Sequence, residues 1–147
     1  MLKVFISHKV TEISKEECLC NRNTAFRDAV AVLVQLGHKE EDIVMIDQYT
    51  SDPELVDGIA DPIAGLINYH SMVAGSTGLP NVNIKHLSEN RQAASALGRS
   101  IELLAEADYV WFATDIWECR RCYIEQLVCS MYGIPILNEM IPGGMMV

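Results

Sequence analysis

Glu125 closes the run Cys119-Arg-Arg-Cys-Tyr-Ile-Glu125, about one and a half helical turns into a segment that stops at Gly133. An acid among Cys122, Leu127, Val128 and Cys129 is either turned to water or held in a pocket, and the local composition leaves both open. A carboxylate in a pocket can attack an electrophilic carbon or stabilise a cationic transition state. Other groups able to do chemistry fall where apolar, β-branched runs end: Ser7-His8, Asp47-Gln48 and Thr114-Asp115. Asp47 and Asp115 are the acids at those ends. Ser7 and His8 are candidate ligand contacts, although a lone histidine after a strand is more often a turn residue. Arg99 can reach a phosphate with a two-pronged guanidinium, against the commoner solvated helix arginine. Trp117 can stack on a base, as can Trp111, for which core packing is an equal reading.

The five cysteines do not form a disulfide framework, because their number is odd and their spacing irregular. Cys119-x-x-Cys122 suggests a metal or redox pair, yet its nearest companion, Cys18-x-Cys20, has the wrong spacing for a zinc site. Buried or half-buried thiols are the simpler reading, with Cys129 in the core. No metal and no cofactor are expected. Ala74-Gly-Ser-Thr-Gly78 offers backbone amides to an anion but lacks the adjacent lysine of a P-loop, so a plain loop is favoured.

The elements that must position these groups alternate. Leu2 to Ser7, Asp42 to Asp47, Tyr109 to Ala113 and Ile134 to Leu137 are short apolar runs of the kind that form buried parallel strands. Between them lie three helical patterns. The first opens on the capping box Ser14-Lys-Glu-Glu17, continues through Leu19, Phe26, Ala29, Val30, Leu33 and Val34, and stops at Gly37. The second runs from Ser88 to Ala105 through Ala94, Leu97, Ile101 and Leu104, and the third from Cys119 to Tyr132. Asp108, opening the third strand, is a turn or cap residue by preference. Strand and helix in alternation predict an α/β fold: a three-layer sandwich of flavodoxin or Rossmann type, with a parallel sheet and helices on both faces. Ligands in such sheets sit at the carboxyl ends of the strands, where Ser7, His8, Asp47 and Asp115 fall. The sequence is expected to form one domain over 1–147, with a variable, loop-rich insertion at about 52–87.

A net charge of −9 argues against general nucleic-acid binding, which needs clustered Lys and Arg. Half the residues are hydrophobic, but no apolar run approaches the length needed to span a bilayer, so no membrane partner is expected. With unpaired cysteines and an N-terminus that reads as a strand, a cytoplasmic location is expected. The tail from Asn138 to Val147 is apolar for a free end, which suggests docking on a second copy.

The segment from Ala96 to Ala113, continued by Trp117-Glu-Cys-Arg-Arg-Cys-Tyr-Ile-Glu125 and Tyr132-Gly-Ile-Pro-Ile136, resembles the nucleoside 2-deoxyribosyltransferase-like family, in particular its small bacterial and phage members. The opening Leu2-Lys-Val-Phe-Ile-Ser7 and the Glu16-Glu17 start of the first helix resemble it too. The likeness covers the first 50 residues or so and those from 96 onward. It implies a nucleoside or nucleotide ligand and a nucleophilic Glu125 that attacks C1′ of a deoxyribosyl group as the base leaves. It also implies a homo-oligomer with sites near the subunit interface, and adds Ser100, Cys119 and Cys122 as pocket residues. Ser100 and Cys119 stand where family enzymes commonly carry aspartates, which leaves Asp47, Asp115 or Glu118 to supply the proton that the base needs. The resemblance therefore leaves room for a module that binds a nucleotide without turning it over. Lys3-Val-Phe-Ile-Ser-His8 with Cys122-x-x-Glu125 also resembles TIR domains, which would imply cleavage of NAD.

Overall fold

The computed structural model describes residues 1–9, 13–47, 87–116 and 119–140. The expected insertion at 52–87, save its last residue, lies outside them, as do the Ala74–Gly78 loop, Trp117 and the tail beyond Met140. The fold is α/β. Three parallel strands, β1 (Leu2–Ser7), β2 (Ile43–Ile46) and β3 (Tyr109–Phe112), form an open sheet in the order β2-β1-β3. Leu2 to Phe5 pair with Ile43 to Ile46, and Val4 to Ser7 with Tyr109 to Phe112, so β1 is central.

Side chains alternate across a strand, and β1 supplies both cores of this Rossmann-like sandwich. Val4 and Ile6 pack with Ala25, Ala29 and Leu33 of α1 (Lys15–Gln35) on one face. Phe5 packs on the other with Val110, Phe112, Leu104 of α2 (Leu87–Leu104) and Cys129 of α3 (Arg120–Tyr132). Leu33 and Leu104 are wholly buried, each contributing about 2 kcal/mol of hydrophobic stabilisation.

α1 begins as the sequence predicts, with the Ser14 hydroxyl accepting from the Glu17 amide at 3.1 Å. It ends in a Schellman motif: the His38 amide reaches the Leu33 carbonyl and the Gly37 amide that of Val34, with Gly37 at φ 101°. Its buried stripe runs through Cys18, Ala25, Ala29 and Leu33, while Val34 faces water. On α2 the buried residues are Ala96, Ser100 and Leu104, and the expected Ala94 is exposed. Small residues let that helix come close to the sheet, and a serine can lie inward there because it finds a partner.

The predicted fourth strand is not built. Only Ile136 bridges to Val110, and the chain then turns into a short 3-10 segment, Leu137–Met140. The side chain of Asn138 takes over the ladder: its Oδ1 accepts from the Phe112 amide at 2.8 Å and its Nδ2 donates to the Phe112 carbonyl at 3.0 Å. One amide side chain thus satisfies both backbone groups that a further strand residue would have paired. Asp108 caps the other end of the sheet, accepting from the Lys3 amide at 2.8 Å.

Candidate functional site

At the carboxyl end of β1 the alternation continues past the apolar core, and each face ends in a buried polar network. Ser7 follows Phe5 toward α2 and α3. There its hydroxyl donates to Glu125 Oε1 at 2.8 Å, and the Ser100 hydroxyl donates to Oε2. Glu125, Ser7 and Ser100 are all essentially inaccessible to water. The same helical register that buries Cys122 and Cys129 buries Glu125 between them. Two hydroxyls from separate elements therefore fix the carboxylate and, among the described residues, leave lone pairs unused, since a carboxylate accepts at about four positions.

Arg121 lies one turn earlier, with Nε 3.9 Å from Glu125 Oε1, and its Nη2 donates to the His8 carbonyl. Burial works against its charge, but Glu125, Cys122, Cys119 and Asp47 outweigh that cost and raise its pKa. It supplies a fixed positive charge beside the carboxylate.

Cys119 is the N-cap of α3, and its sulfur accepts from the Cys122 amide at 3.4 Å. A hydrogen bond from the Cys122 thiol does most to lower its pKa from 9.0 to about 7, against the cost of burial and with help from Arg121. Cys122 is pushed well above the ordinary thiol range, first by that same bond and then by burial. The sequence offers no acid at position 119. The folded chain places there a thiol with its pKa near neutrality, because the hydrogen bond from Cys122 and the charge of Arg121 favour its thiolate.

His8 follows Ile6 onto the opposite face. Its Nε2 lies 2.9 Å from Asp47 Oδ2, and its Nδ1 lies 3.7 Å from Cys18 Sγ. Arg22 donates to the same Asp47 oxygen at 2.6 Å. His8, Asp47 and Cys18 are buried, so His8 is no exposed turn residue. The sequence reading weighed Cys18 only as a zinc ligand and did not single out Arg22. Their spacing of four, one helical turn, continuing toward Ala25 and Ala29 was the available signal.

Ser7, Ser100 and Glu125 are thus brought together, with Cys119 and Cys122 on the adjoining turn. Asp47 and His8 pair with each other on the α1 side, with Arg121 reaching the His8 backbone. Asp115 is half-buried between β3 and α3, and Arg99 is on the exposed side of α2. Trp111 packs on the α1 side of the sheet, where it joins Asn21, Thr24 and Asp28 around an open cleft of about 290 Å³. Glu125 does not line that cleft, so the cleft is not where a Glu125 reaction would take place. Among the described residues no group of three or more His, Cys, Asp or Glu is arranged to hold a metal ion, and no helix is long and apolar enough to cross a membrane.

No protein-family model, no curated protein and no solved structure matches the chain.

Proposed function

We propose that the protein binds a nucleoside or nucleotide at the carboxyl end of the sheet and cleaves or transfers its N-glycosidic bond through Glu125. The observation that carries this reading is the oriented, buried Glu125 carboxylate, held by Ser7 and Ser100 at the end of the central strand. Its oxygen would attack C1′ of the sugar as the bond to the base breaks, and the ester formed would pass the sugar to water or to a second base. The departing base needs a proton. Cys119, at about 7, and the half-buried Asp115 are the nearest candidates in sequence to that helix opening, whereas Asp47 is engaged by His8 and Arg22 on the other face.

A second reading is a binding module that keeps the ligand intact. Serine and cysteine at positions 100 and 119, where the resembled enzymes carry aspartates, favour it. Chromatography of deoxynucleosides, deoxynucleotides and NAD after incubation with the protein separates the two. Free base that disappears with Glu125→Gln supports the enzyme. An intact compound recovered only after denaturation supports the module, and neither outcome would sink both.

We further propose a cytosolic homo-oligomer. All five cysteines are free thiols, and Leu127, Met131 and Tyr132 are exposed apolar residues on the outer side of α3.

A further inference from the structure

The network on the α1 face has a directionality that the Glu125 reading does not use. An ionised Asp47 can only accept, so His8 Nε2 carries the proton in their 2.9 Å contact. Nδ1 is then the nitrogen with the lone pair, and it faces the Cys18 sulfur at 3.7 Å, so the thiol donates to it. Thiol and carboxylate lie on opposite edges of the imidazole. They cannot converge on one metal ion, and the arrangement is a chain of hydrogen-bond contacts from thiol through imidazole to carboxylate. Arg22, on the same Asp47 oxygen, balances the carboxylate charge. Cys18 is also in the opening turn of α1, where the helix dipole favours a thiolate.

A nucleophile, a base within reach of it and a third group orienting the base are the parts of a nucleophilic centre. We propose that Cys18, His8 and Asp47 form such a centre, separate from Glu125, and that it accepts activated acyl groups: esters or thioesters. The thiol proton passes to His8 Nδ1, and the imidazolium is held by Asp47. The Cys18 thiolate forms a bond to the carbonyl carbon. As the tetrahedral adduct collapses, the bond to the alcohol or thiol leaving group breaks and that group takes the proton from His8. Water, deprotonated by His8 Nδ1, then attacks the acyl-cysteine, releases the carboxylic acid and restores the thiol. Esters suit the pair because an alkoxide, unlike the thiolate that leaves in disulfide exchange, needs a proton to depart, and His8 can return the one it took.

Burial alone predicts the opposite behaviour, since Cys18 is 2% exposed while Cys20, two residues on, is open to solvent. Native protein is treated with p-nitrophenyl acetate at neutral pH, quenched in acid and digested, and acetylation at each cysteine is followed by mass spectrometry. Cys18 should be acetylated at least about tenfold faster than Cys20. Asp47→Asn, which keeps the shape of the side chain, should slow Cys18 by at least about tenfold while the far-ultraviolet spectrum stays unchanged. Release of p-nitrophenol is followed in parallel, and Cys18 that stays unmodified until denaturant is added, with no p-nitrophenol release beyond that of Cys18→Ala, overturns the proposal. So does an unchanged Cys18 rate in folded Asp47→Asn. Should that variant not fold, the comparison of Cys18 with Cys20 in the unaltered chain decides by itself.

Discussion

Cys119 and Cys129 titrate in opposite senses, and together they give the protein a pH signature. The Cys119 pKa is lowered on folding from 9.0 to about 7, so its contribution to stability is full above pH 9 and is lost as pH falls through 7. Burial pushes Cys129 up to about 12, so its contribution is full below pH 9 and is lost as pH rises toward 12. The urea midpoint should therefore rise between pH 7 and 9 from the first thiol and fall above 9 from the second. Cys119→Ala should flatten the rise and Cys129→Ala the fall, and curves that keep their shape in both variants would refute the assignment. If Cys119 also protonates the leaving base, kcat/KM should decline above about pH 7 and lose that limb in Cys119→Ala. Glu125→Gln keeps the shape of the buried side chain but removes its charge, and should lower any base release at least about a thousandfold. Base release that survives this change would remove Glu125 from the chemistry. None of these roles is written in a single residue type. The residues around Glu125 leave its face open, and it is Ser7 and Ser100 against its two oxygens that hold it inside.

At the scale of elements, the ends of helices and strands are where sequence and structure agree best. Ser14→Ala should cost about 1 kcal/mol, because the Glu17 amide loses its acceptor. Gly37→Ala should cost a similar amount, about 1–2 kcal/mol, since φ 101° strains any residue with a Cβ. Both would appear as lower midpoints in urea at constant slope. Asn138→Ala is the sharper test, because it leaves the amide and carbonyl of Phe112 without their partner. We expect a loss of about 1–3 kcal/mol. An unchanged midpoint would mean that Asn138 does not stand in for the missing strand. The sequence around it resembled a strand because apolar runs reveal burial, whereas ladder pairing depends on where the chain turns. The same limit explains α2: periodicity found Leu104, but the rest of its described buried line is Ala96 and Ser100, which are small or polar.

At the scale of the whole molecule, two faces share one strand. Leu33→Ala, in the core beneath α1, should cost about 2–5 kcal/mol. It lies on the face of the Cys18 network, and a loss of Cys18 reactivity without global unfolding would show that the face acts as a unit. The exposed Leu127, Met131 and Tyr132 bear on assembly. Met131→Asp should convert an oligomer into a monomer by light scattering, and an unaltered chain that already runs as a monomer would dispose of the oligomer.

The sequence by itself determined the alternation of short apolar strands with amphipathic helices, and so the parallel α/β sheet. It also determined the capping of α1, the stop at Gly133, and the strand ends at which polar residues gather. These are local properties, set by backbone sterics, side-chain period and the hydrogen bonds of chain ends. Only the tertiary structure decided that Ser7 and His8, neighbours in the chain, serve opposite faces: one meets Glu125, the other Asp47 and Cys18. It also turned a cysteine at an N-cap into a group that titrates near neutrality. Those outcomes depend on burial and on partners up to 118 residues apart in sequence, and the energy of a buried polar group is set by which of them it finds.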